Sequence, residues 1–196
     1  MGEAEESSLE QREEERQEEL RRYVLQEAWD WTHLSNCLDK RLGAILVKDG
    51  RIIGRGSNLC APPPYGYGDV LPSCPRRNSV RGTNRKKCRG FHAEIFACLS
   101  VRRDKHGMSI PVTPADYARF AWHQFDGEKK GARTRRVLQG RFTEEDRERL
   151  HGAELYLVGV AYVCDVCQWL LDWLGVTIHE NNIIPPVLSI VERKQT

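Results

Sequence analysis

The sequence has no apolar run approaching the roughly 20 residues that a bilayer-spanning helix needs, so no membrane partner is expected. It also lacks an apolar segment at its N-terminus. The first 22 residues hold nine Glu and four Arg, no export signal is visible, and a cytoplasmic location is expected. Seven cysteines without an export signal do not read as a disulfide framework; reduced thiols and metal ligands are expected instead. No internal repeat is present, so the chain is not read as an array. Acidic residues are missing from 76–89, where seven of fourteen positions are Lys or Arg. That absence suits a phosphate-bearing ligand, and equally a solvated basic loop.

What is present is enough for one domain with additions. The chain has 196 residues, 40% of them hydrophobic, and a net charge of +2. The charge is unevenly spread: residues 1–22 carry −5, leaving +7 on the remainder. A second basic cluster comprises Lys129, Lys130, Arg133, Arg135 and Arg136. The chain is therefore divided into an acidic polar N-terminal extension, residues 1–22, and a domain over 23–196 that carries an insertion at 103–150.

Residues 3–22 are polar on every face, and Glu18/Arg22 and Gln17/Arg21 at i, i+4 read as a solvated helix, or with so little apolar surface as a frayed or disordered stretch. From Leu20 the apolar positions Leu20, Tyr23, Val24, Ala28, Trp31 and Leu34 follow helical spacing, predicting an amphipathic helix that ends near Asn36. Two β-rich runs, 42–47 and 51–58, flank Asp49-Gly50, a strong hairpin signal. Residues 59–90 are rich in Pro, Gly, Cys and Arg and read as a long loop. A helix follows from His92. The insertion is expected to hold short helices at 114–125 and 144–150. Then come a buried strand at 154–160, a helix from Cys164 ended by Gly175, and strands at 176–179 and 187–191. The order α-β-β-α-β-α-β-β predicts a layered α/β domain.

His92 and Glu94, with Cys164 and Cys167 far downstream, carry the chemistry. One His and a C-x-x-C pair supply three ligands to a tetrahedral zinc and leave its fourth position open. Both ligand segments are predicted at helix N-termini, where backbone N–H groups and the helix dipole favour the thiolate. Glu94, two residues after the His, can carry protons without binding the metal. The combination matches H-x-E…C-x-x-C, the pattern with which zinc deaminases act on a nucleobase. A structural zinc site or a redox pair is the alternative reading of the same residues. Arg76 and Arg77 are candidate phosphate contacts, and Ala93 completes the set of substrate-binding candidates. Cys98, on the apolar face of the His helix, reads as core packing. His33, His106, His123, His151 and His179 have no spaced partner and read as surface or satisfied structural groups. Trp29, Trp31, Trp169 and Trp173 read as core or subunit contacts.

The residues resemble the cytidine and deoxycytidylate deaminase superfamily over about 23–102 and 153–192. The deoxycytidylate branch fits best on Cys37 before the Gly43-Ala44 strand, Gly54-Arg55-Gly56-Ser57-Asn58, Cys74-Pro75-Arg76, Cys88 and His92-Ala93-Glu94. Val163 stands where that family has a Pro, and the insertion separates His92 from Cys164 by 72 residues. The resemblance implies a three-layer α-β-α cytidine-deaminase-like fold with a mixed sheet of about five strands. It also implies that Asn58 hydrogen-bonds the substrate's sugar and that the chain forms a homo-oligomer. Cys37, Cys60, Cys74 and Cys88 are expected to gather at one end of the sheet, because pairing outward from the hairpin sets Cys37 opposite Cys60 or Ala61. They would form a second, structural zinc site holding the long loop, as some relatives do.

Three functions follow as expectations. The leading one is zinc-dependent hydrolytic deamination of a pyrimidine nucleotide, dCMP to dUMP and ammonia. An alternative keeps the chemistry and changes the substrate to cytosine or adenine in single-stranded DNA or RNA, with the basic clusters as a backbone track. Another is a non-enzymatic zinc-binding nucleotide sensor.

Overall fold

A computed structural model describes residues 3–35, 37, 41–60, 90–112, 135–159 and 163–180. Its elements run α1 (Glu3–Thr32), β1 (Gly43–Lys48), β2 (Arg51–Ser57), β3 (Leu59–Cys60), β4 (Gly90–Phe91), α2 (Ala93–Ser100), α3 (Glu144–Leu150), β5 (Glu154–Val158), α4 (Asp165–Leu174) and β6 (Thr177–Glu180). Residues 135–139 are also helical.

The main sheet has the order β2-β1-β5-β6. The β1 strand is antiparallel to both β2 and β5, and β5 runs parallel to β6, so the sheet is mixed. Four strands are seen among the described residues where about five were expected; the strand expected at 187–191 and the helix expected at 114–125 lie outside them. Strand alternation sorts the apolar residues onto two faces. Ile45, Val47, Tyr156 and Val158 pack with Val24, Leu25 and Ala28 of α1. Ala44, Leu46, Leu155 and Leu157 pack on the other face with Ile95 and Leu99 of α2 and Leu170, Leu171 and Leu174 of α4. The result is the three-layer α-β-α architecture, with β1 covered on both sides and apolar throughout its buried length.

The hairpin turns on two residues. Asp49 and Gly50 both have positive φ, 50° and 69°, the backbone of a type I′ turn. Lys48 therefore joins the ladder opposite Arg51, and a bulge between Leu46 and Val47 shifts the register by one further residue, setting Leu46 opposite Gly54. The ladder does not bring Cys37 opposite Cys60. The chain leaves β2 after Ser57, and Cys60 pairs with Gly90 in the small β3–β4 sheet.

The first helix runs from Glu3 to Thr32, so the solvated helix read over 3–22 and the amphipathic helix read from Leu20 are one, ending four residues before the expected Asn36. Its exposed first half is held by pairs such as Arg16–Glu13 at 2.8 Å and Arg21–Glu18 at 3.5 Å, each worth about 0.2–0.5 kcal/mol. The division at 22/23 thus falls inside a continuous helix, and Tyr23 and Leu34, placed on the apolar stripe by spacing, are exposed. The C-terminal part of the 103–150 insertion is likewise built into the core. Leu138, Phe142 and Leu150 are buried in the cluster shared with α2 and α4. A capping box between Thr143 and Asp146 starts α3, and buried Asp146 also accepts from the Arg103 N–H at 3.2 Å, tying this segment to the end of α2.

Candidate metal centre

His92 and Cys164 occupy the N-cap positions of α2 and α4, both in extended backbone conformation. Their carbonyls accept the first helical bonds, from Phe96 N–H at 3.1 Å and Gln168 N–H at 2.8 Å. Neither side chain caps its own helix. At positions where Ser, Thr, Asp or Asn would normally turn back onto the helix, an imidazole and a thiol are left to point at something else. The β3–β4 pair, with Leu59 across from Phe91, delivers the chain to His92. Gly56 of β2 lies directly under the first turn of α2: a Cβ there would collide with the Ala93 carbonyl and the Ala97 nitrogen. A side chain on β2 would therefore lift the turn that carries His92 and Glu94.

The ligand atoms of His92, Cys164 and Cys167 all lie within 4.8 Å of one another. His92 Nδ1 is 3.2 Å from Cys167 Sγ and 3.3 Å from Cys164 Sγ. With Zn–S near 2.3 Å and Zn–N near 2.0–2.1 Å, a tetrahedral zinc would set such pairs about 3.5 Å apart, so the donor set fits zinc in both spacing and softness. Among the described residues this is the one group of three or more such side chains close enough to share an ion.

The three side chains strongly perturb one another's protonation. A hydrogen bond from Cys167 pulls the Cys164 thiol down to about 3, against burial and with help from His92. Burial, and then the Cys164 sulfur, push Cys167 well above the usual thiol range. Burial alone would lower His92, but the Cys164 hydrogen bond and the charges of Cys164, Glu94 and Cys37 hold it up at about 9. Zinc binding would displace these protons and take both sulfurs as thiolates.

Glu94, in the first turn of α2, is only 3% exposed, and burial raises its pKa. Its Oε2 is buried and meets no hydrogen-bond partner among the described residues. An unsatisfied buried carboxylate oxygen costs about 1–3 kcal/mol or more, a cost that function at this position would explain.

The remaining candidates divide. Cys37 is half-buried and near enough to His92 for its charge to be felt there. Asn58 is buried, and its Oδ1 accepts from Ser35 Oγ and the Leu42 N–H, both at 2.7 Å. Ala93 is fully buried, so it can offer a ligand only its backbone. Arg76, Arg77, Cys74 and Cys88, with the Cys60 side chain, lie outside the described residues.

Cys98 is buried in the core, as expected. His33 meets Trp29 edge-on, and His179 pairs with Glu154. Trp31 packs on Phe96, and Trp169 stacks on Trp173 with Arg135 and Arg147 over the two rings. Sequence reasoning missed Ser35. Its one signal was a Ser just past the end of a helix and two residues before Cys37, which does not by itself suggest a bond to a residue 23 positions away.

Compared with known proteins, the chain is 33% identical over 78 residues to the deoxycytidylate deaminase of Saccharomyces cerevisiae. That match takes in 40% of this chain and 24% of the yeast protein, so it spans about a quarter of the relative's length. The fold also aligns with crystal structures of the dCMP deaminase of cyanophage S-TIM5, one in apo form and one in complex with dCMP and dUMP. Each is 16% identical and is aligned over 89% of this chain and 91% of the phage chain, with TM-scores of 0.41 and 0.39. These superpositions are too loose for a residue-by-residue correspondence. No protein-family model matches the chain.

Proposed function

We propose that this chain is a zinc-dependent hydrolytic deaminase of a pyrimidine nucleotide, converting dCMP and water to dUMP and ammonia. The observation that carries the reading is the convergence of His92, Cys164 and Cys167 beside a buried Glu94 whose Oε2 has no partner among the described residues. The similarity to the yeast deoxycytidylate deaminase supports the choice of substrate.

His92, Cys164 and Cys167 would hold a zinc ion. When bound, the ion supplies the Lewis acidity that brings water's pKa to about 7. Glu94 moves the protons. It accepts one from the attacking water and passes it to ring N3 as the water oxygen bonds to C4. It then passes the second to the amino group, which leaves as ammonia when the C4–N bond breaks. A carboxylate whose pKa is raised by burial is suited to both halves of that task. The fixed first turn of α2 keeps Glu94 within reach of the metal ligands, and the packed core beneath it limits competing water.

In the same reading Asn58, Ala93, Arg76 and Arg77 contact the substrate, the arginines through its phosphate. Cys37, Cys60, Cys74 and Cys88 bind a second, structural zinc. The enzyme is a cytoplasmic homo-oligomer, residues 1–22 are an extension of a 23–196 catalytic domain, and 103–150 is an insertion within it.

The test is ammonia release by zinc-loaded protein offered dCMP, CMP, dCTP, deoxycytidine and a short cytosine-containing single-stranded DNA. Turnover of dCMP above all others, lost on chelation and regained with zinc, is expected. Turnover of the oligonucleotide alone would replace this reading with one in which residues 76–89 form a backbone track. Silence across the panel would overturn the enzymatic reading.

A further inference from the structure

Cys164 and Cys167 are unequal partners. Cys164 is half-buried at the N-cap of α4, whereas Cys167, one turn on, is fully buried. Their sulfurs lie within 4.8 Å of each other. Cα atoms three residues apart on a helical turn are separated by about 5 Å, inside the roughly 4.4–6.8 Å that a disulfide spans.

Closing that bond needs no change in the backbone. The Cys164 side chain does not cap its helix, so its sulfur can turn toward Cys167 without giving up a helical bond. The Cys164 carbonyl accepts the Gln168 N–H at 2.8 Å and anchors the main chain while the sulfur moves. The other described thiols are placed differently. Cys98 is enclosed in the core on α2. Cys37 is half-buried and near His92, so it is the described thiol that could compete for Cys164.

We propose that Cys164 and Cys167 form a peroxide-sensitive modification site: Cys164 reacts first, Cys167 resolves it, and the disulfide that results no longer holds zinc. One pair of sulfurs is then a metal-ligand pair when reduced and a switch when oxidised. The inference rests on the zinc assignment of the deaminase reading, and not on which nucleotide is the substrate.

The chemistry balances with hydrogen peroxide as the oxidant. The Cys164 thiolate attacks one peroxide oxygen. An S–O bond forms, the O–O bond breaks, and the departing hydroxide takes a proton from solvent to become water. The Cys167 thiolate then attacks the Cys164 sulfur. The S–S bond forms, the S–O bond breaks, and a second hydroxide leaves and is protonated. The two sulfurs together give two electrons to the peroxide. Zinc loses two of its three protein ligands and departs as the divalent ion. Burial of Cys167 sets the order, since peroxide reaches the more open thiol first.

Zinc-loaded protein treated with a modest excess of hydrogen peroxide tests the proposal. Released zinc is followed with a chromogenic chelator, and unreduced tryptic peptides are weighed by mass spectrometry. Both cysteines fall in one tryptic peptide, residues 150–193, which has no internal Lys or Arg. That peptide should become lighter by two hydrogens in step with the loss of zinc. A phosphine reductant followed by added zinc should restore both the mass and the metal. Cys167→Ser removes the resolving sulfur, and dimedone should then label Cys164 after peroxide.

Zinc loss with the 150–193 peptide unchanged overturns the proposal. So do a link from Cys164 to the peptide holding Cys37, direct conversion of Cys164 to sulfinic acid in the native sequence, and full retention of zinc under peroxide. Protein that takes up no zinc before peroxide is added overturns the metal assignment itself, a failure that the starting zinc content separates from failure of the switch.

Discussion

Two histidines of this protein stand in polar clusters of nearly the same parts and do opposite things. His92 has sulfurs at 3.2 and 3.3 Å and a glutamate two residues on. His179 has Glu154 Oε2 at 3.2 Å, and its ring stacks on Tyr156 with centroids 4.8 Å apart and planes 8° from parallel. The Tyr156 hydroxyl donates to that same glutamate oxygen at 2.8 Å, and burial followed by this bond pushes Tyr156 up to about 12. The His179 cluster joins neighbouring strands at the sheet end near α1, its His and Glu side chains 40% and 47% exposed, with its groups matched to one another. The His92 cluster lies on the other face, with Cys167 and Glu94 buried and one carboxylate oxygen unmatched among the described residues. Similar side chains form a surface brace when they satisfy one another beside water. Brought together in a dry place with one carboxylate oxygen left over, they make the arrangement that the proposed zinc chemistry requires.

The comparison breaks most decisively at Glu94. Glu94→Gln should lower turnover by about three orders of magnitude, within the usual range for losing a general acid–base group, while zinc measured by atomic absorption stays bound. Loss of the zinc along with the activity would mean that Glu94 supports the ion rather than the proton transfers. A smaller effect is expected beneath the centre. Gly56→Ala should force the first turn of α2 off β2, cost about 1–3 kcal/mol in denaturant unfolding, and weaken zinc retention against a chelator. If zinc retention is untouched, β2 does not set the height of His92. The smallest effect belongs to the other cluster. His179→Ala should cost at most about 1 kcal/mol and leave turnover and zinc content unchanged, as expected for an exposed pair. A large loss of activity there would erase the distinction between the two histidines.

Most of the architecture was legible in advance because its signals are local. Asp49-Gly50 marks a turn since few other residues accept its positive φ, and the apolar run of β1 marks a strand buried on both faces. Gly175, at φ 69°, ends α4 where its position predicted. The group of His92, Cys164 and Cys167 was legible as a candidate because zinc chemistry admits few donor sets, and C-x-x-C already places two sulfurs on one helical turn. Less legible were features that depend on distant partners. The polar half of α1 has too little apolar surface to decide between a solvated helix and a disordered stretch, and it forms a helix continuous with the turns packed through Val24, Leu25 and Ala28. That Leu138, Phe142 and Leu150 of the 103–150 segment join the core shared with α2 and α4 also depends on distant partners.

The sequence by itself determined the candidate donor set with Glu94 beside it, the two-residue turn and the order of strands and helices, because each depends on residue type and on neighbours a few positions away. Only the tertiary structure decided that His92 and Cys164, 72 residues apart, each stand at a helix N-cap with their side chains free to converge. It also decided that Ser35 and Leu42 commit one side of the Asn58 amide, and that Cys60 pairs with Gly90 and not with Cys37. Those outcomes follow from ladder register and from how closely a helix can approach a strand. Both are set by packing across the whole domain and carry no signal in a short stretch of chain.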